Sequence, residues 1–130
     1  MSEENVELVR RAIAYEYYGV GDRAEAEAIF DPRVVLNPID EAASSGFDAM
    51  RADMERWASA FDELKVTIEE IIDAGDQVVV VAYHRGRGRE SGVKVDTRFY
   101  EVFTLREGKV WRVDEYTERD EALEAAGLSE

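Results

Sequence analysis

From Val93 to Leu105 the chain reads V-K-V-D-T-R-F-Y-E-V-F-T-L, an apolar and polar alternation sustained over thirteen residues. A period of two is the pattern of a strand with one buried face and is incompatible with a helix. Val93, Val95, Thr97, Phe99, Glu101, Phe103 and Leu105 then look inward, while Lys94, Asp96 and Arg98 look outward. The inner row contains a carboxylate. The next segment repeats the anomaly, with Trp111, Val113 and Glu115 alternating with Arg112, Asp114 and Tyr116. An ionised carboxylate on an apolar face needs a partner or a raised pKa, so two of them point to a polar cluster inside a pocket.

The same period runs through the second half of the chain. Leu64 to Asp73, Gln77 to Arg89, Val93 to Leu105 and Val110 to Thr117 are separated by turn signals at Ala74-Gly75, Ser91-Gly92 and Glu107-Gly108, which predicts four antiparallel strands. The first half is helical. Val6, Val9, Ile13 and Tyr17 mark a helix over Ser2 to Tyr18, stopped at Gly19-Val20-Gly21, and Asp22 with Glu25 forms a capping box for a second helix ending near Asp31-Pro32. Val34 to Leu36 is a brief strand closed by Asn37-Pro38, and Asp40 to Gly46 is a polar loop placed to cover a cavity mouth. Phe47, Met50, Met54, Trp57 and Phe61 define a third amphipathic helix. A terminal helix is capped by Thr117 with Asp120, carries Leu123 and closes at Gly127. The fold class is α+β: a curved antiparallel sheet against three N-terminal helices, with a short C-terminal helix, in one domain over residues 1–130.

Composition narrows the function. A length of 130 residues and 45% hydrophobic content support one core. A net charge of -14 repels nucleic acid and anionic lipid, and no apolar run reaches membrane-spanning length, so neither a nucleic acid nor a membrane is an expected partner and the expected compartment is the cytoplasm. With no cysteine and one histidine, no zinc or redox cofactor is expected and no metal site is assigned. Arg85, Arg87 and Arg89 read as outer-face ion pairs with Asp96 and Asp114.

Turn lengths decide which inner residues meet. A three-residue loop at Arg106-Glu107-Gly108 opposes Phe103 with Trp111, Glu101 with Val113 and Phe99 with Glu115, whereas a two-residue loop would oppose Phe103 with Arg112. The apolar pattern favours the first, leaving Glu101 and Glu115 as diagonal neighbours that titrate together. At the preceding hairpin a two-residue Ser91-Gly92 loop pairs His84 with Phe99 and Ala82 with Glu101. A three-residue Glu90-Ser91-Gly92 loop would instead turn Tyr83, Arg85 and Arg87 inward; avoiding buried arginines favours His84.

E-N-V-E-L-V-R-R-A at Glu4 to Ala12, G-D at Gly21-Asp22, F-D-P-R-V-V-L-N-P at Phe30 to Pro38, I-D-A-G-D-Q-V-V-V at Ile72 to Val80 and F-T-L-R-E-G-K-V-W-R-V-D-E-Y at Phe103 to Tyr116, in this order of elements, resemble the nuclear transport factor 2-like superfamily. The likeness is to its SnoaL-like polyketide cyclase branch and its ketosteroid isomerase relatives. It implies a cone-like sheet around a deep apolar pocket, with a homodimer through the outer sheet face, where Tyr100, Val102 and Tyr116 are expected to be exposed. It places Asn37 where the isomerases carry a general-base aspartate, Ala14 or Tyr15 near their oxyanion-holding tyrosine, and Glu101 at their second acid. Epoxide hydrolase-like members of the superfamily carry acids at the positions of Glu115 and near His84, with an arginine near Ala82.

The functional expectation is a small-molecule pocket protein acting without a cofactor on an apolar carbonyl, polyketide-like or epoxide substrate. Glu101, Glu115 and His84 are the candidate acid and base groups, and Asn37, Tyr15, Trp57, Phe99, Phe103, Trp111 and Val113 the candidate substrate contacts. A non-catalytic ligand-binding or dimeric assembly module is the alternative.

Overall fold

The computed structural model describes residues 2–18, 21–39 and 42–128. Gly19 and Val20 of the expected helix stop, the Tyr17 side chain, and Asp40 and Glu41 of the expected mouth loop lie outside the described residues. In chain order the elements are α1 (Ser2–Tyr18), α2 (Arg23–Ile29), β1 (Phe30–Asn37), β2 (Ser44–Ser45), α3 (Phe47–Ser59), β3 (Phe61–Ala74), β4 (Gln77–Gly88), β5 (Lys94–Arg106), β6 (Lys109–Tyr116) and α4 (Arg119–Ala125). The α+β class, the three N-terminal helices and the short C-terminal one agree with the sequence reading. Asp22 caps α2 as its spacing predicts, accepting from the Glu25 backbone N–H at 2.9 Å.

One open sheet runs β2-β1-β6-β5-β4-β3. It is mixed rather than wholly antiparallel, because β1 lies parallel to β6, with Leu36 beside Val113 and Asn37 beside Asp114. Its inner face carries Val78, Val80, Phe103, Leu105, Val110 and Val113 into a core completed by Leu8, Val9, Ala12 and Ile13 of α1, Ala26 and Ile29 of α2, and Phe47 and Met50 of α3. Interruptions of the ladder at Phe30/Val35, Asp62/Lys65, Ile68/Glu70 and Thr104/Leu105 bend the strands.

The outer face is partly covered by the chain itself. Ala122, Leu123 and Ala126 of α4 pack on Val79 and Val102, with Tyr100 and Tyr116 half-buried at the margin. Val102 is therefore buried, against the expectation of an exposed dimer patch, because the terminal helix occupies that surface. Cover on both faces also explains why Val78, Val79, Val80, Val81 and Ala82 are buried as an unbroken run. The helix begins at Arg119 with Glu118 at its N-cap and no side-chain cap, not with Thr117 capping. Its first residue is instead tied to the sheet by a paired Arg119–Glu70 contact at 2.8 and 3.2 Å.

Both hairpin registers differ from the sequence expectation. Between β5 and β6, Arg106 pairs with Lys109 across a two-residue loop in which Glu107 (φ 53°) and Gly108 (φ 75°) both take the left-handed conformation of a type I′ turn. Leu105 then pairs with Val110 and Thr104 with Arg112, so Trp111 bulges out of the ladder. The bulge restores the inward parity that the short loop alone would have lost. Phe103 faces Val113, and Glu101 stands directly opposite Glu115.

Between β4 and β5 the loop is Arg89 to Gly92, closed by Gly88 N–H donating to Val93 C=O at 2.8 Å. Arg89 is drawn away toward the α3–β3 junction. Its backbone N–H donates to Ala60 C=O at 2.9 Å, its guanidinium to Ser59 C=O at 3.0 Å and Phe61 C=O at 3.1 Å, and it pairs with Asp62 at 3.1 Å rather than with Asp96 or Asp114. His84 consequently faces Thr97, Ala82 faces Phe99 and Val80 faces Glu101. The shift by two preserves parity, so His84 is buried while Tyr83 lies on the outer face, donating to Asp96 under the Arg98 guanidinium. His84 and Glu101 are four positions apart along the sheet, not diagonal neighbours.

Candidate active site

A cavity of about 980 Å³ opens between α3 and the inner sheet face. α1 contributes Glu16, β1 and its exit Leu36, Pro38 and Ile39, and α3 Asp53, Met54, Trp57 and Ala58. β3 gives Leu64 to Thr67, β4 His84, β5 Phe99 and β6 Glu115. The spacing of Met54, Trp57 and Ala58 puts them on one face of α3, beyond the core residues Phe47 and Met50. Beside them, Gly86 lets β3 approach closely: a Cβ there would lie 3.3 Å from Leu64 Cα, next to a backbone bulge in which Glu63 is held at φ 54°.

Three rings form one wall. Phe99 meets His84 edge-on at 4.8 Å between centroids, and Trp57 meets Phe99 at 5.7 Å and His84 at 5.9 Å. In this apolar setting burial lowers the His84 pKa from 6.5 to about 4, so the imidazole is neutral at pH 7. Two acids line the same cavity, Glu16 and Glu115. Glu16 is half-buried as a residue, but its Oε2 is sealed from solvent and accepts no hydrogen bond among the described residues. Burial, and secondarily the charge of Glu115, raise the Glu16 pKa from 4.5 to about 8. Glu101 is fully buried and lies directly across the β5–β6 ladder from Glu115, where facing side chains start about 5 Å apart.

Of the residues singled out from the sequence, the cavity gathers Glu115, His84, Trp57 and Phe99. Glu101, Phe103 and Val113 are buried in the sheet next to it and do not line it. Three lie elsewhere. Asn37 is turned by strand alternation to the outer face, where its amide donates to Asp114 at 3.2 Å. Tyr15 packs between Phe30 and Phe47, and its hydroxyl accepts from Arg51 Nη1 at 3.1 Å. Trp111, displaced by its bulge, lies under the Arg106 guanidinium at 4.3 Å. Among the described residues no group of three or more His, Cys, Asp or Glu is placed to hold a metal ion, and no helix is long and apolar enough to cross a membrane.

Residues 9–113 match the model of the SnoaL-like domain. The chain belongs to that family. Solved structures similar to this SnoaL-like chain include a proposed SnoaL-like polyketide cyclase from Jannaschia sp. CCS1, at 25% identity and TM-score 0.79 over 91% of this chain and 88% of that one. A nuclear transport factor 2-like protein from Burkholderia xenovorans LB400 shares 22% identity and TM-score 0.76, covering 97% of each chain. A protein with a ketosteroid isomerase-like fold from Catenulispora acidiphila DSM 44928, solved in complex with trimethylamine, shares 18% identity and TM-score 0.69 over 94% and 93%. A search of curated proteins gives no match.

The cavity of this SnoaL-like domain contains an acid that the sequence reading passed over. Glu16 follows the buried positions Val9, Ala12 and Ile13 at i+7, i+4 and i+3, which places a carboxylate on the apolar stripe of α1. That anomaly has the same form as Glu101 on β5, read with a period of 3.6 rather than two.

Proposed function

We propose that this SnoaL-like chain binds a small, mostly apolar molecule in the cavity and acts on it by cofactor-free general acid and base catalysis. The observation that supports this reading is that two carboxyl groups, Glu16 on α1 and Glu115 on β6, share one cavity in which Glu16 holds a proton near neutral pH. Groups whose surroundings separate their protonation states divide the roles of acid and base. In this scheme the Glu115 carboxylate takes a proton from the substrate or from a water, and the Glu16 carboxyl donates to a carbonyl or epoxide oxygen. Neutral His84 is the second acceptor. Glu101, buried directly across the ladder from Glu115, takes the part of a positioning residue that acts through it.

The family assignment supports the small-molecule class, and the apolar walls Leu36, Met54, Trp57 and Phe99 fit a carbonyl, polyketide-like or epoxide substrate. The test is turnover across a panel of such compounds by the parent, Glu115→Gln and Glu101→Gln. Loss of turnover in folded Glu115→Gln, with a smaller loss and a displaced pH profile in folded Glu101→Gln, is the expected result. Equal turnover in parent and Glu115→Gln rules out the assignment.

Binding without turnover is the second reading. It is favoured by Asn37: at the strand end where the isomerases that this chain resembles carry a base, it has an amide, bonded to Asp114 on the other face.

A further inference from the structure

Among the described residues, the titratable side chains that line the cavity come from five elements and are unequally distributed. Glu16 and Glu115 stand at the α1 and β6 end, with Glu101 of β5 directly behind Glu115. Asp53 of α3 is engaged by Arg56, Lys65 of β3 is an exposed residue of the edge strand, and His84 of β4 is neutral. Among the described residues the lining acids Glu16 and Glu115 thus lie together with Glu101 behind them, and the lining cation, Lys65, is at the solvent margin. A carboxylate or phosphate ligand meets the Glu115 charge there, whereas a cation is attracted to it and favours ionisation of Glu16 beside it. The second observation is the Glu16 carboxyl: the residue lines the cavity, and its Oε2 is sealed from solvent without a hydrogen bond among the described residues. The third is the aromatic wall, since Trp57 and Phe99 offer ring surface that attracts organic cations. With no described cluster suited to a metal ion, a hard inorganic cation is a poor fit.

We propose that the cavity is a binding site for a small lipophilic organic cation, a protonated or quaternary amine, with its charge between Glu16 and Glu115 and its alkyl groups against Trp57 and Phe99. The exchange balances: one cation enters, and the proton held by Glu16 leaves for solvent. The inference rests on the reading of this cavity as a small-molecule site and adds a ligand class to the neutral substrates proposed above. It also has a consequence for mechanism, because Glu16 cannot donate a proton while a cation occupies the pair. An amine in this cavity is a bound ligand or an inhibitor of the acid and base chemistry.

Isothermal titration calorimetry with three probes of similar shape tests the proposal: the cation benzyltrimethylammonium, its neutral isostere neopentylbenzene, and the anion phenylacetate. The cation is expected to bind on the order of tenfold more tightly than the isostere. Paired buffers of different ionisation enthalpy should show close to one proton released at pH 7. Affinity for the cation should rise with pH, by up to about tenfold per unit, and level off above the Glu16 pKa of about 8. Glu16→Gln should abolish the proton release and the pH slope while still binding neopentylbenzene. If the isostere or phenylacetate binds as tightly as the cation, or if cation binding is independent of pH and of Glu16, the cation proposal is wrong and the small-molecule cavity stands. If none of the three binds, both fail.

Discussion

Glu16→Gln should make the protein more stable in alkali and leave it unchanged in acid. The folded state raises the Glu16 pKa from 4.5 to about 8, through burial first and Glu115 second. Below pH 4.5 the group is protonated in both states and contributes nothing. Between 4.5 and 8 the folded state holds a proton that the unfolded chain has released, so parent stability falls by about 1.4 kcal/mol per pH unit. Above 8 the folded protein carries a buried ionised carboxylate. The full interval corresponds to roughly 5 kcal/mol, and because part of the shift is shared with Glu115 we expect about 3 to 5 kcal/mol. Glutamine keeps the shape and removes the titration. His84 has the opposite sign, since its folded pKa of about 4 lies below 6.5 and its contribution is lost as pH falls through that window. The two slopes oppose each other between pH 4.5 and 6.5, so the parent should be flattest there and decline toward pH 8. Urea denaturation followed by tryptophan fluorescence at pH 4.5, 6.5 and 9 measures the difference between parent and variant. A difference that stays constant across the three pH values refutes the burial of an acid at Glu16.

His84→Leu should abolish the acid-side loss of about 3 kcal/mol between pH 6.5 and 4 that the parent shows, read by the same titration. Arg89→Ala removes three side-chain contacts that draw the β4–β5 loop to the α3–β3 junction, and should cost about 1 to 3 kcal/mol while amide exchange accelerates in the Arg89–Gly92 loop. Leu123→Ala, at the centre of the α4 contact with Val79 and Val102, should destabilise by about 2 to 4 kcal/mol in thermal melts. It should also expose Val102, which dye binding or a change in oligomeric state will report.

The sequence made some of this arrangement legible and not the rest, for identifiable reasons. Strand period is a local property, so the inward row of Phe99, Glu101 and Phe103 and the capping of α2 by Asp22 could be read from neighbouring residues alone. Register is not local in the same way. The β5–β6 pairing depends on a type I′ turn and a compensating bulge at Trp111, two deviations that cancel in parity and leave the apolar pattern looking like a three-residue loop. The β4–β5 pairing depends on Arg89 reaching backbone carbonyls of Ser59 and Phe61, about 30 residues earlier in the chain. The cavity lining was therefore legible as a set of inward residue types, including Glu115, His84, Trp57 and Phe99, but not as neighbours. Asn37 and Tyr15 were placed by resemblance, and strand parity and the Phe30–Phe47 ring cluster carry them elsewhere.

The parallel β1–β6 pair has a kinetic consequence. Asn37 and Asp114 are 77 residues apart in the chain, so joining the wall that bears Glu115 to β1 closes a loop that contains most of the meander. Closing so long a loop before its contacts reward it makes this docking a natural late step of folding. The meander β3 to β6 and the α1–α2 segment can each order earlier from local contacts, without forming a cavity. A molecule bound there would then grip the native state and not the transition state leading to it. It should slow unfolding and leave the folding rate nearly unchanged.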